Sequence, residues 1–181
     1  MARAGGGMER SGITRFERTM LPHLDAAYVL ARFLVRDGAD AEDLVHDAYL
    51  RALRYFASYR GGDERSWLLT IVRRTCYRWL KRRRAGPSLT EFDEHRHGAA
   101  AAEASPDMAV EQAALRETLL RAVEQLPLEF REAIVLRDLQ GLSYRETADV
   151  LGVPIGTVMS RLARGRRRLQ SVLPIEDFRR S

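Results

Sequence analysis

The chain has 181 residues, with 30 Lys or Arg against 25 Asp or Glu and a formal net charge of +5. That length suits one medium domain or two small ones, and the positive surplus favours an acidic partner such as nucleic acid or an anionic surface. Ordinary apolar content excludes whole-chain disorder, the lone Cys76 excludes an intramolecular disulfide and suits a reducing compartment, and no apolar run is long enough to span a bilayer.

The opening MARAGGGMER has no apolar stretch of the signal-peptide kind, so a cytoplasmic location is expected without membrane insertion. Residues 1–11 read as a flexible tail, with Met1 and Met8 both candidate starts. Beyond it, apolar residues recur at three- and four-residue spacing and no alternating strand pattern appears. The expected fold is all-α: two small helical domains joined by a flexible linker, the second containing a helix-turn-helix. The front domain is placed at 12–84, the linker at 85–106, the back domain at 107–173 and a C-terminal tail at 174–181.

In the front domain, AEDLVHDAYLRALRYF after Asp40 predicts an amphipathic helix. Ala41, Leu44, Val45, Ala48, Ala52 and Phe56 form its inner side; Asp43, His46, Asp47, Arg51 and Arg54 form the other, with Leu50 in their midst. Leu50 has two readings: a single exposed leucine, which is common, or an apolar anchor ringed by charge. A glycine-containing loop follows, SYRGGDER. Then ERSWLLTIVRRTCYRWLKRRR predicts a long helix with Trp67, Leu68, Ile71, Val72 and Trp79 inward and Arg73, Arg74, Tyr77, Lys81 and Arg84 outward. No acidic residue occurs from Arg65 to Thr90. An aromatic ring among unopposed cations suits nucleic acid, because cations neutralise phosphates and a ring can stack on an unpaired base. The two tryptophans fit core packing better.

The segment RAGPSLTEFDEHRHGAAAAEASPDM, with two prolines, many small residues and mostly acidic charge, reads as linker. Its His95 and His97, beside Glu91 and Glu94, are the nearest approach to a metal set; no metal and no cofactor are expected. No phosphate-cradling glycine loop and no catalytic constellation are found, and Cys76 reads as a packed thiol.

In the back domain Asp107 is placed to cap a helix reaching Gln125, Pro127 to open the next, and Gly141 to close it. Ser143 and Glu146 form the capping-box pattern, and Ala148, Val150 and Leu151 point a short helix inward. Gly152 fits a left-handed C-terminal cap and Pro154 completes a tight turn into a helix of residues 155–172. Short helix, glycine turn and longer helix spell a helix-turn-helix. On the second helix Val158, Leu162, Gly165 and Leu169 share one side, and Thr157, Ser160, Arg161, Arg164 and Arg168 the opposite one. Arginines among small hydroxyl residues suit a major groove, where a guanidinium bonds guanine through two hydrogen bonds. The plain alternative, a solvated basic helix end, accounts for Arg166 to Arg168 but not for the cap, the turn and the stripe together.

These segments resemble bacterial RNA polymerase sigma factors of the extracytoplasmic-function (ECF) type. DAEDLVHDAYLRAL looks like the polymerase-binding helix of region two. ERSWLLTIVRRTCYRWLKRRR is similar to the part that opens and reads the promoter −10 element, and LPLEFREAIVLRDLQGLSYRETADVLGVPIGTVMSRLARGRRRL looks like region four, which reads the −35 element. The resemblance implies docking on core RNA polymerase through Asp43, His46, Asp47, Leu50 and Arg51. It implies −10 contacts from Gly61, Gly62, Asp63, Arg65, Ser66, Arg73, Arg74, Tyr77, Lys81 and Arg84, and −35 contacts from Thr157, Ser160, Arg161, Arg164 and Arg168. Promoter DNA is then a partner, and an anti-sigma factor is one in many members. Arg74 and Arg78 stand where the family often has asparagine and aspartate, and Met159 where it often has lysine. Two other readings remain: a helix-turn-helix repressor or activator that never joins the polymerase, and a nucleic-acid-processing enzyme, which would need a catalytic set not found here.

Overall fold

A computed structural model describes residues 5–85 and 106–172, with side chains described over 12–85 and 114–172. The expectations for the acidic linker, including His95 and His97, and for the Asp107 side chain lie outside the described residues. Among the described residues helices are the only regular element: α1 (Gly5–Met20), α2 (Leu24–Val35), α3 (Gly38–Tyr55), α4 (Glu64–Ala85), α5 (Pro106–Gln125), α6 (Leu128–Ile134), α7 (Tyr144–Leu151) and α8 (Ile155–Val172). The all-α expectation and the helix-turn-helix both match this order.

Several helix ends have a local cause. Asp37 caps α3, its Oδ1 accepting the Asp40 amide at 2.8 Å. The inner residues expected for α3, Ala41 through Ala52, are buried, and Phe56 closes the stripe just beyond its end. Phe16 from α1 meets Phe56 edge-on at 5.2 Å, and the Tyr49 hydroxyl donates to the Met20 carbonyl at 2.8 Å, which fastens α1 to α3. Helices α2, α3 and α4 pack on one another around Leu30, Leu68 and Val72, all fully buried. Each such side chain contributes about 1.5–3 kcal/mol of burial free energy.

The core face of α4 is rotated from the expected one. Leu68, Leu69, Val72, Thr75 and Cys76 are buried, while Trp67, Ile71 and Trp79 are only half-buried. The reason is that α4 has neighbours on two sides: α2 and α3 on one, α7 on the other. A helix clasped twice buries a wide arc, and its small residues Thr75 and Cys76 allow the close approach that tryptophans would block. Trp79 instead flanks the core beneath the Arg83 guanidinium, 4.9 Å from its ring centre.

In the back half, α6 runs into a wider π-type turn at Val135–Leu139 before Gly141, at φ +73°, ends it. The Leu126 carbonyl, left open by the turn at Pro127, accepts two donors of the buried Arg131, at 2.8 and 3.3 Å. The third donor of Arg131 reaches the Phe33 carbonyl at 2.8 Å, at the end of α2. So the two halves meet: α6 lies against α2 and α7 against α4. Burial pushes the Arg131 guanidinium down to about 10, which still leaves it charged at neutral pH.

Candidate polymerase and nucleic-acid interfaces

The outer side of α3 is built as its spacing predicts. Asp43 and His46 are exposed, and Asp47 pairs with Arg51 one turn later at 3.7 Å. Leu50 is 44% exposed with Leu53 beside it at 39%. Two neighbouring leucines within a charged rim form a small apolar platform rather than a lone exposed leucine. Beside it, His46 borders a cleft of about 580 Å³ lined with Leu21, Leu24, Tyr28 and Tyr49.

The loop before α4 is shaped by two glycines and an aromatic stack. Gly61 and Gly62 both have positive φ, +89° and +112°, which side chains other than glycine resist. Tyr59 stacks on Phe56 at 5.8 Å and donates its hydroxyl to the Gly62 carbonyl at 2.9 Å, fixing the loop to the core. Asp63 accepts the Arg65 amide at 3.1 Å, at the start of α4. Ser66 is buried; Gly61, Gly62 and Asp63 are exposed.

From there α4 presents Arg74, Arg78, Lys81 and Arg84 to solvent. Arg73 and Tyr77, expected on this outer side, point elsewhere. Both reach Glu132 of α6: Arg73 through Nε at 2.8 Å and Nη2 at 3.2 Å, Tyr77 through its hydroxyl at 2.8 Å. Burial first, then the Glu132 carboxylate, pushes the Tyr77 hydroxyl up to about 12, so it is a donor at neutral pH.

The helix-turn-helix forms as its motif requires. The Ser143 hydroxyl accepts the Glu146 amide at 3.1 Å and the Glu146 carboxylate accepts the Ser143 amide at 2.6 Å. Gly152 ends α7 at φ +66°, its amide donating to the Ala148 carbonyl at 2.8 Å. On α8, Val158, Leu162 and Gly165 are buried and Leu169 is half-buried. Gly165 faces α6 so closely that an added Cβ would stand 3.0 Å from Ile134.

Of the residues expected on the outer side of α8, Ser160, Arg164 and Arg168 are exposed and Thr157 is half-buried. Arg161 departs from that side: its guanidinium folds back to donate to Glu132 at 3.1 Å. Arg166 is bound to Asp138 through a fork with contacts of 2.6 and 3.0 Å. That fork leaves Arg164, Arg167 and Arg168 as the basic exposure of the last turns. Sequence reasoning missed Glu132. The available signal was a charge inside the buried run from Phe130 to Leu136, where an unpaired carboxylate would be costly.

Comparison with known proteins identifies the family of both halves. Residues 20–86 match the family described as Sigma-70 region 2, and residues 116–169 match Sigma-70, region 4. The chain is 33% identical over 165 residues to the ECF RNA polymerase sigma factor SigE of Mycolicibacterium smegmatis, spanning 91% of this chain and 64% of that one. It is 36% identical over 159 residues to the ECF RNA polymerase sigma factor SigM of Mycobacterium tuberculosis, with 87% and 76% covered. Among solved structures it is similar to the sigma factor RpoE from Bartonella quintana, crystallised with the anti-sigma factor NepR. That likeness has a TM-score of 0.74 and 31% identity, covering 89% of this chain and 98% of that one. With a region-2 match in front, a capped helix-turn-helix matching region 4 behind and these relatives, the chain belongs to the ECF sigma factors of bacterial RNA polymerase.

Proposed function

We propose that this chain binds core RNA polymerase in the cytoplasm and directs it to promoters, without catalysis of its own. The front half docks on the polymerase through Asp43, His46, Asp47, Leu50 and Arg51. Gly61 to Arg65 and the basic side of α4 hold the unpaired −10 strand, and α8 reads −35 duplex; the buried Ser66 supports the loop from beneath. One observation supports this above the rest: a single chain carries both an apolar platform on α3 and two separate basic helices. A repressor or activator needs only the duplex-reading helix, and leaves Leu50 and the α4 cations without a role. An anti-sigma factor is a further expected partner.

Affinity for isolated core polymerase separates the readings. The wild-type chain should bind it, and Leu50→Asp should weaken binding by about tenfold or more, the scale of a lost interface anchor. The substitution sits at an exposed position, so the far-ultraviolet circular dichroism should not change. Unchanged affinity in a folded Leu50→Asp chain would remove α3 from the interface. No binding by the wild type would favour the repressor or activator.

A further inference from the structure

Glu132 is the centre of the contact between the halves. Its side chain is 1% exposed, yet it lies among three donors for which the family resemblance implies DNA contact. Oε2 accepts from Arg73 and Tyr77, both at 2.8 Å; Oε1 accepts from Arg73 at 3.2 Å and from Arg161 at 3.1 Å. Two guanidinium groups face one carboxylate, so the cluster keeps a surplus positive charge. A buried ion pair is seldom a net source of stability compared with apolar packing, and its best-attested use is to select one arrangement. The fork that grips the Glu132 carboxylate is also the one that grips a phosphate, since both offer two oxygens in a plane to a guanidinium. Around the cluster the halves are also held by apolar packing of α6 on α2 and α7 on α4, by the Arg131 bond to the Phe33 carbonyl, and by further polar contacts. Gln140 donates to the Ala26 carbonyl at 2.9 Å and accepts from Arg65 at 3.3 Å, and Arg32 pairs with Glu124 at 3.2 Å.

We propose that Glu132 is an internal stand-in for a DNA phosphate, which latches the two halves together and occupies Arg73 and Tyr77 until the halves separate. The proposal rests on the reading of the α4 face as a single-strand surface. In the latched form Arg73 turns its Nε and Nη2 and Tyr77 its hydroxyl to Glu132 rather than to a ligand, while Arg74, Arg78, Lys81 and Arg84 stay open for weak, salt-sensitive contact. Separation removes the carboxylate from α4 and returns both side chains to the exposed side. Arg161 keeps Glu132, because both belong to the back half.

The test uses the full chain carrying a fluorophore on each half, with a labelled single-stranded oligonucleotide of mixed sequence at fixed salt. Glu132→Gln removes the charge; Gln140→Ala loosens the contact elsewhere and leaves the cluster intact should the first variant fold poorly. Energy transfer should fall in both variants, and oligonucleotide affinity should rise by about tenfold, as when a binding-competent minority of roughly a tenth becomes dominant. Unchanged energy transfer in both folded variants would overturn the latch. Separated halves with unchanged oligonucleotide affinity, in chains that still bind core polymerase, would overturn the occlusion alone. Loss of oligonucleotide and core binding in every folded form would overturn it together with the reading on which it rests.

Discussion

Arg161 and Arg164 are three positions apart on α8 and have unlike fates. The first is held by Glu132 at 3.1 Å and the second faces solvent. Under the proposed −35 reading, exposure favours Arg164 over Arg161 for base or phosphate contact. Arg164→Ala should weaken binding of −35 duplex by about 1–3 kcal/mol if the contact is a two-bond grip on guanine. Fluorescence anisotropy on matched and altered duplexes would check it, and equal loss on both would mark the contact as phosphate only. Cys76 gives a second residue-scale prediction. It is fully buried, and burial pushes its thiol up to about 12. The folded chain should therefore react with a thiol reagent at pH 8 far more slowly than the denatured chain, because the thiolate is the nucleophile and is scarce well below its pKa. Rapid labelling of the native chain would contradict the packed-thiol reading despite its basic neighbours.

At the scale of the element, the helix-turn-helix depends on how near α8 comes to α6. Gly165 sets that distance, since a Cβ there would stand 3.0 Å from Ile134 Cγ1 and 3.4 Å from Phe130 Cβ. Gly165→Val should overpack the site and cost about 1–3 kcal/mol, read as a lower midpoint in urea unfolding. A midpoint equal to or above that of the wild type would show that Ile134 yields freely. Elements of this kind were legible in the sequence. The capping pair Ser143 and Glu146, the cap at Gly152 and the stripes of α3 and α8 are encoded within a turn or two, where spacing alone sets the face. The α4 face was not legible in the same way. Its wide buried arc comes from α7, which contacts it across the whole length of sequence between the halves. Arg73 and Tyr77 were expected outward because their partner lies 59 and 55 positions away, and no local pattern encodes such a distance.

For the whole molecule, charge and closure act together. A net charge of +5 draws the chain toward DNA, yet two of its cations and one aromatic are committed to a single buried carboxylate. Closure of the halves also rests on Arg131, whose Nε, Nη1 and Nη2 bridge the Leu126 and Phe33 carbonyls. The central claim is that this chain gives RNA polymerase its promoter. Transcription from a randomised promoter library, with bacterial core polymerase in the presence and absence of the chain, tests it most directly. The account predicts initiation that requires the chain and selects −35 and −10 elements at a fixed spacing. Initiation that is absent, while the folded chain still binds duplex DNA and not the polymerase, would contradict it.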